Sequence, residues 1–241
     1  MKTVKIQEYK IYADKAQNIS INDTQTIINT INAHSFIVAK NDSLFREALE
    51  KSDILLPDGE GIVLMSKKLK GQKINKIAGA DIHQRLLQIA QEKKLKCFYL
   101  GSSNKTLAAI EEKLSALYNN VQFGFYSPPF KKVFSNAENT LMIKKVNDFA
   151  PDILFVGMTA PKQEKWVMEH KEALNANVIC SIGAVFDFIA ETKKRAPQWV
   201  INMKLEWLYR SFTAWRLTKR YLYSTPLFLI ELYRLKYNSK S

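Results

Sequence analysis

The sequence predicts an α/β protein organised around a parallel sheet, and three observations predict it. Three apolar, strand-forming runs each end at a glycine: Cys97-Phe98-Tyr99-Leu100-Gly101, Ile153-Leu154-Phe155-Val156-Gly157 and Val178-Ile179-Cys180-Ser181-Ile182-Gly183. Helical patterns separate these runs, and strands alternating with helices indicate βαβ units. A basic, aromatic segment closes the chain and differs in kind from the body. A strand that ends at glycine is also the local form where ligands approach the carboxyl ends of strands in such sheets.

In chain order, residues 1–72 form a small N-terminal α/β subdomain. It holds one strand-like run over 35–39 and a helix over 42–51. A second apolar run, Asp53-Ile54-Leu55-Leu56, leads into Pro57-Asp58-Gly59-Glu60-Gly61 and a helix over 62–68. Residues 73–195 form the main unit, with helices over 81–91, 107–117 and 162–174 between its strands. In the second of these, Leu107, Ile110, Leu114 and Leu117 recur at helical spacing. Residues 196–241 form a helical appendage. They carry eight basic residues against Glu206 and Glu231, and three of the four tryptophans. A helix is expected over 198–223, with Leu205, Leu208, Phe212 and Trp215 on one face and Pro226 as its breaker.

Composition narrows the class. The chain has 241 residues, 46% hydrophobic and 24% charged, with a net charge of +13. That excludes a disordered chain, a collagen-like repeat and a disulfide-stapled miniprotein. The positive surplus calls for an anionic partner such as an acidic lipid, a phosphorylated substrate or nucleic acid. The start, MKTVKIQEYKIYADK, has no apolar h-region, so no signal peptide is expected. No apolar run reaches the length of a transmembrane helix. Cys97 and Cys180 read as buried thiols. His34, His83 and His170 have no metal-ligand spacing, and no Asp-x-Asp pair is present. The missing G-x-G-x-x-G fingerprint argues against a nicotinamide-dependent enzyme.

Four strand-end motifs carry candidate chemistry. Asp58 reads either as the cap of the next helix or as a carboxylate facing a cleft, able to act as general base. In Thr159-Ala160-Pro161-Lys162-Gln163-Glu164, Pro161 fits a helix start whose amides could hold a diphosphate. Gln163 could pair with a base edge and Glu164 with ribose hydroxyls, or the motif is simply a well-capped helix. Gly183-Ala184-Val185-Phe186-Asp187 lets a ligand approach the backbone, with Asp187 open to a capping role. Gly79-Ala80-Asp81 is similar, with Asp81 a plausible cap. The appendage has the composition of a helix lying on an anionic bilayer, against the alternatives of packing on the body or in an oligomer.

In this order, the motifs resemble the WecG/TagA/CpsF family of bacterial glycosyltransferases over about residues 30–220. The matching pieces begin with Thr30-Ile31-Asn32-Ala33-His34-Ser35, Leu55-Leu56-Pro57-Asp58-Gly59 and Ile77-Ala78-Gly79-Ala80-Asp81. Phe98-Tyr99-Leu100-Gly101 and Pro151-Asp152-Ile153-Leu154 follow. The most specific are Thr159-Ala160-Pro161-Lys162-Gln163-Glu164, Arg195-Ala196-Pro197-Gln198-Trp199 and Leu205-Glu206-Trp207-Leu208-Tyr209-Arg210. The resemblance departs at Glu191, where it implies glycine.

The resemblance implies a Rossmann-like body and an inverting transfer that needs neither metal nor cofactor. The sugar, of N-acetylmannosamine type, would move from a UDP-sugar donor to a sugar on undecaprenyl diphosphate. The setting it implies is the bacterial cytoplasm, peripheral on the inner face of the membrane, in the synthesis of teichoic acid, capsule or another surface polysaccharide. Asp58 matches the general base, and Thr30 and Asn32 match polar residues of the same cleft. Gln163 and Glu164 match the donor-side motif, while Arg210, Arg216 and Arg220 match basic residues of the appendage. Candidate substrate contacts therefore comprise Gly59, Gly79, Asp81, Gly101, Gly157, Pro161, Lys162, Gln163, Glu164, Gly183, Asp187, Arg195, Arg210, Arg216 and Arg220. No nucleic-acid partner is expected, and the apolar tail could drive a homo-oligomer away from a membrane. The alternative reading is a non-catalytic basic module for anionic lipid or nucleic acid.

Overall fold

The computed structural model describes residues 1–22, 24–191, 197, 200, 203 and 215–238. Its eight strands form one sheet in the order β1-β2-β4-β3-β8-β7-β5-β6. The strands are β1 (Thr3–Ile6), β2 (Tyr9–Tyr12), β3 (Thr26–Ile31), β4 (Ile54–Pro57), β5 (Lys96–Gly101), β6 (Gln122–Tyr126), β7 (Ile153–Gly157) and β8 (Val178–Ser181). Among the described strands only the β1–β2 pair is antiparallel. Helices α1 (Ala33–Asn41), α2 (Ser43–Glu50), α3 (Glu60–Lys70), α4 (Gly79–Lys93), α5 (Asn104–Leu117), α6 (Asn136–Phe149), α7 (Lys162–His170) and α8 (Gly183–Ile189) cover its faces. A final helix, α9 (Trp215–Asn238), follows. The expected Rossmann-like parallel sheet with a C-terminal helix is thus the observed fold.

Burial on both faces explains why the central strands read as continuous apolar runs. All residues of β7 and β8 are buried. Beneath β5 lies an aromatic cluster in which His83 Nε2 meets Tyr99 Oη at 2.7 Å. Burial pushes His83 down to about 3, so its imidazole is neutral. Cys97 and Cys180 are free, buried thiols in the same layer.

The structure differs from expectation in three elements. Residues 35–39 are not a strand but the middle of α1. Asn32 caps this helix by accepting from Ser35 N at 2.9 Å, and α1 lies between the sheet and α9, so its apolar residues surround it. Second, the N-terminal region contributes four strands: the apolar run over 53–56 is β4, as expected, but β1, β2 and β3 were not anticipated. Because β3 pairs with both β4 and β8, they join the main sheet directly. Third, the last helix runs through Pro226 instead of breaking there. Pro226 is on the exposed side of α9, where the carbonyl that it leaves without an N–H donor faces water. The expected apolar face of residues 205–212 lies outside the described residues.

Candidate active site

In a parallel sheet every strand delivers its carboxyl end to the same edge. Here β4, β3, β8, β7 and β5 deliver Asp58, Asn32, Gly183, Met158 and Ser102 side by side, about 4.8 Å per strand. The edge is cut from adjacent turns, so a ligand spanning β4 to β7 would bridge roughly 15 Å.

The β3–β4 end carries side chains. Asp58 is half-buried, and its N–H donates to Ile31 O at 2.8 Å, which locks the β4 exit against the β3 exit. The N-cap of α3 is Gly59, with no side-chain cap, so Asp58 stands one residue before the capping position. Gly59 has φ +102, which favours glycine, and turns the chain from strand to helix beside Asn32. Asn32 Oδ1 serves as the α1 cap and also accepts from Ser35 Oγ at 3.2 Å. Thr30 pairs with Leu56 on the neighbouring strand and is half-buried. The structure therefore gathers Thr30, Asn32, Asp58 and Gly59 at one place.

The β5–β7–β8 end is closed by glycines. Gly101, at φ +121, has room for no side chain: a Cβ would stand 2.5 Å from Gly157 O. A Cβ on Gly157 would run into the Phe186 ring, and one on Gly183 into Met158 O. Gly79, at the start of α4, packs against Val185 and Ile182 of the β8–α8 turn.

The Thr159–Glu164 motif is more interior than its polarity suggests. Pro161 is the N-cap of α7, not its first turn, and the Ala160–Pro161 peptide is cis. Gln163 is 4% exposed; its Oε1 accepts from Gly183 N at 3.1 Å and its Nε2 donates to Glu164 Oε1 at 2.9 Å. Glu164 is 2% exposed. The pair ties α7 to the start of α8. Lys162 turns away: its ammonium donates to Lys131 O and sits 3.5 Å over the Phe134 ring. Ala160 and Pro161 face His34, Ser35, Val38 and Phe45 of α1 and α2 across a cavity of about 10 Å³. Lys165 Nζ meets Asp42 at 2.9 Å across the same seam.

Asp81 is not an N-cap but the third residue of α4, reaching back to accept from Ala78 N at 2.8 Å. Asp187 is half-buried in α8. Glu191 lies at φ +54, the left-handed region that suits the glycine the resemblance implies there. Its carboxylate reaches Lys113 at 2.5 Å, and that ammonium holds it below the usual range. Arg195 and Arg210 lie outside the described residues. Arg216 and Arg220 fall on the first turns of α9.

Sequence reasoning missed a cavity of about 290 Å³ lined by Lys15, Gln17, Asn75, Lys76, Ile77 and Asp81. It adjoins the β4 exit, because Ile77 N donates to Pro57 O at 3.0 Å. Lys76 had a signal, standing just before Ile77-Ala78-Gly79; Lys15 had none, since only the fold brings it there. Sequence reasoning also missed the seat of α9. Phe228 is 2% exposed, edge-on to Phe36 with ring centroids 5.8 Å apart. It fills the space where a Cβ on Gly61 would meet Ala33 and Phe228 at 3.1 and 3.2 Å. Ala33 follows Asn32 and Gly61 follows Gly59 by two, so α9 is wedged directly behind the polar end of the edge. Among the described residues no three His, Cys, Asp or Glu side chains group as metal ligands would. No described helix is long and apolar enough to cross a membrane.

A Rossmann-like sheet with an acid at one strand exit and glycine-closed turns beside it is a framework on which an enzyme can bind a ligand across the strand ends. The model of the glycosyl transferase WecG/TagA/CpsF family matches residues 3–241. The chain belongs to that family and is a glycosyltransferase, which displaces the non-catalytic binding module. It is 31% identical over 216 residues to an N-acetylglucosaminyldiphosphoundecaprenol N-acetyl-beta-D-mannosaminyltransferase of Bacillus subtilis (strain 168), covering 89% of this chain and 82% of that protein. It is 30% identical over 209 residues to the protein of the same name from Staphylococcus aureus (strain NCTC 8325 / PS 47), covering 87% and 80%.

Proposed function

We propose that this chain transfers an N-acetylmannosamine-type sugar from a UDP-sugar to an N-acetylglucosamine carried on undecaprenyl diphosphate, with inversion at the anomeric carbon. The names of its relatives support the acceptor and the sugar. The observation that carries the mechanism is Asp58 at the β4 exit, side by side with Asn32 and outside the capping position of α3. Asp58 takes the proton of the acceptor hydroxyl as that oxygen attacks the anomeric carbon and the bond to UDP breaks. Thr30 and Asn32 line the same cleft. Charge on the leaving diphosphate falls to backbone amides at the start of α7 and to Arg195, Arg210, Arg216 and Arg220, with no metal needed. In this reading Gln163 and Glu164 act from beneath, holding the Gly183 turn in shape for the donor, with Gly101, Gly157 and Pro161 shaping the same floor.

The functional division follows the chain: 1–72 supplies the catalytic cleft, 73–195 the donor side and 196–241 the membrane-associating appendage. Leu222, Tyr223, Leu229, Ile230, Tyr233 and Tyr237 form the exposed face of α9. That face suits an anionic membrane surface on the cytoplasmic side, or a second copy of the chain when no membrane is present. The test is a panel of UDP-sugars with a short-chain lipid-diphosphate-GlcNAc acceptor and no added metal. Product from UDP-N-acetylmannosamine supports the reading. Product from another UDP-sugar alone, or only with added metal, overturns the donor or the metal independence respectively.

A further inference from the structure

The loop between β6 and α6, residues 127–134, holds its backbone firmly and its apolar tip in water. Its first residue is tied down by Ser127 Oγ donating to Ser102 O at 2.7 Å. Pro128 and Pro129 fix two φ angles. At the far end Lys162 grips Lys131 O and covers the Phe134 ring. Lys131 Nζ pairs with Glu138 at 2.6 Å, while Glu138 also accepts from Ser135 N at 2.7 Å. Between these anchors Phe130 is 100% exposed and Val133 79% exposed, with Lys132 exposed between them. A loop could fold Phe130 back, as it does Phe134; this one is pinned so that Phe130 points out.

Position says what the tip meets. β6 is parallel to β5, so the loop leaves the sheet at the same edge as Asp58. It stands at the far end of that edge, five strands from β4, roughly 24 Å away. Its anchor on Lys162, at the start of α7, leaves the tip on the donor side of the edge, away from Asp58. Two apolar side chains also fall far short of the roughly 1,000 Å² that a stable protein interface buries. Isolated apolar residues beside lysine match the boundary between headgroups and acyl chains of an anionic bilayer.

We propose that the 127–134 loop is a second membrane contact, in which Phe130 and Val133 enter the headgroup–acyl boundary and Lys132 meets lipid phosphate. With α9 on the β3–β4 flank and this loop beyond β5, the catalytic edge is held level against the bilayer from both sides. The proposal rests on the peripheral-membrane reading above. The experiment is co-sedimentation of the full chain with phosphatidylglycerol–phosphatidylcholine vesicles, comparing wild type with a Phe130→Ser/Val133→Ser double variant. Thermal melting and turnover of a water-soluble short-chain acceptor serve as controls. The double variant is expected to partition roughly tenfold more weakly, with unchanged melting and short-chain turnover, and a raised KM for long-chain acceptor in vesicles. Wild-type binding with no loss in the variant overturns the loop contact and leaves the membrane reading standing. An equal fall in short-chain turnover overturns it in favour of a substrate contact. Absence of wild-type binding overturns both readings. Lys132→Glu should weaken binding to anionic vesicles and not to phosphatidylcholine alone; equal loss on both overturns the phosphate contact.

Discussion

The two halves of the catalytic edge are built on opposite principles. At the β5–β7–β8 half the turns pack too closely for side chains: Gly101 against the Gly157 backbone, Gly183 against the Met158 carbonyl, and Gly157 against the Phe186 ring. Gln163 and Glu164 are buried beneath. At the β3–β4 half, polar side chains stand at the exits and the turns are braced from behind by α9 through Phe228. The first half can offer shape and amides but few reactive groups. The second can offer an acid and an amide side chain, but only while the turns that carry them keep their places. Chemistry and binding are thus expected to separate along the edge, and mutations can break or sharpen that separation.

The largest effect is expected from Asp58→Asn. It keeps the size of the side chain and removes the base, so kcat should fall by roughly 10²–10⁴-fold with donor affinity and melting temperature unchanged. Steady-state kinetics with isothermal titration of UDP checks both. Near-wild-type turnover would move the base elsewhere. Gly157→Ala tests the other half. The added methyl meets the Phe186 ring in a packed layer, and overpacking of that kind destabilises by about 1–3 kcal/mol. Urea denaturation should report that loss, and kinetics should show weakened donor binding with kcat less affected. A fall in kcat with donor affinity intact would erase the proposed division.

Phe228→Ala addresses the brace. Burial of a phenylalanine side chain is worth about 1.5–3 kcal/mol, so α9 should release more often while the sheet melts as before. Limited proteolysis near residues 215–238 should accelerate, and kcat should fall with donor affinity kept. If kcat holds while α9 is cut freely, the helix serves membrane attachment alone.

How much of this was legible follows from the range of each cause. Asp58, the three glycine-ended strands and the Thr159–Glu164 motif were visible because their signals are local: an apolar run, a turn residue, a helix start. What was hidden depended on neighbours remote in sequence. Residues 35–39 looked like a strand because α9, which covers the outer side of α1, comes almost two hundred residues later. The β1–β2 hairpin was hidden because its two-residue turn is Gln7-Glu8, with Gln7 at φ 52, instead of the Asn or Gly that marks such turns. Lys162 looked like a donor contact because its role as an anchor requires the β6–α6 loop. The Lys15–Lys76 cavity needs two loops that only the fold brings together.

The smallest effect is the most informative about coupling. Lys40, in the last turn of α1, meets Glu231 of α9 at 2.7 Å; Glu231 is 12% exposed and Lys40 40%. Exposed pairs contribute about 0.2–1 kcal/mol. Because the glutamate side is largely covered, the upper end is expected, with little help to overall stability. A double-mutant cycle with Lys40→Met and Glu231→Gln, read by hydrogen exchange of the α9 amides, should show coupling of that size that fades in high salt. The same pair joins the helix that would touch the membrane to the helix that Asn32 caps. A coupling that also appears in kcat on vesicles, and is lost with the short-chain acceptor, would mean that the membrane sets the geometry of the β3–β4 half. Coupling in exchange alone would mean that α9 is held to α1 without governing the chemistry at its far end.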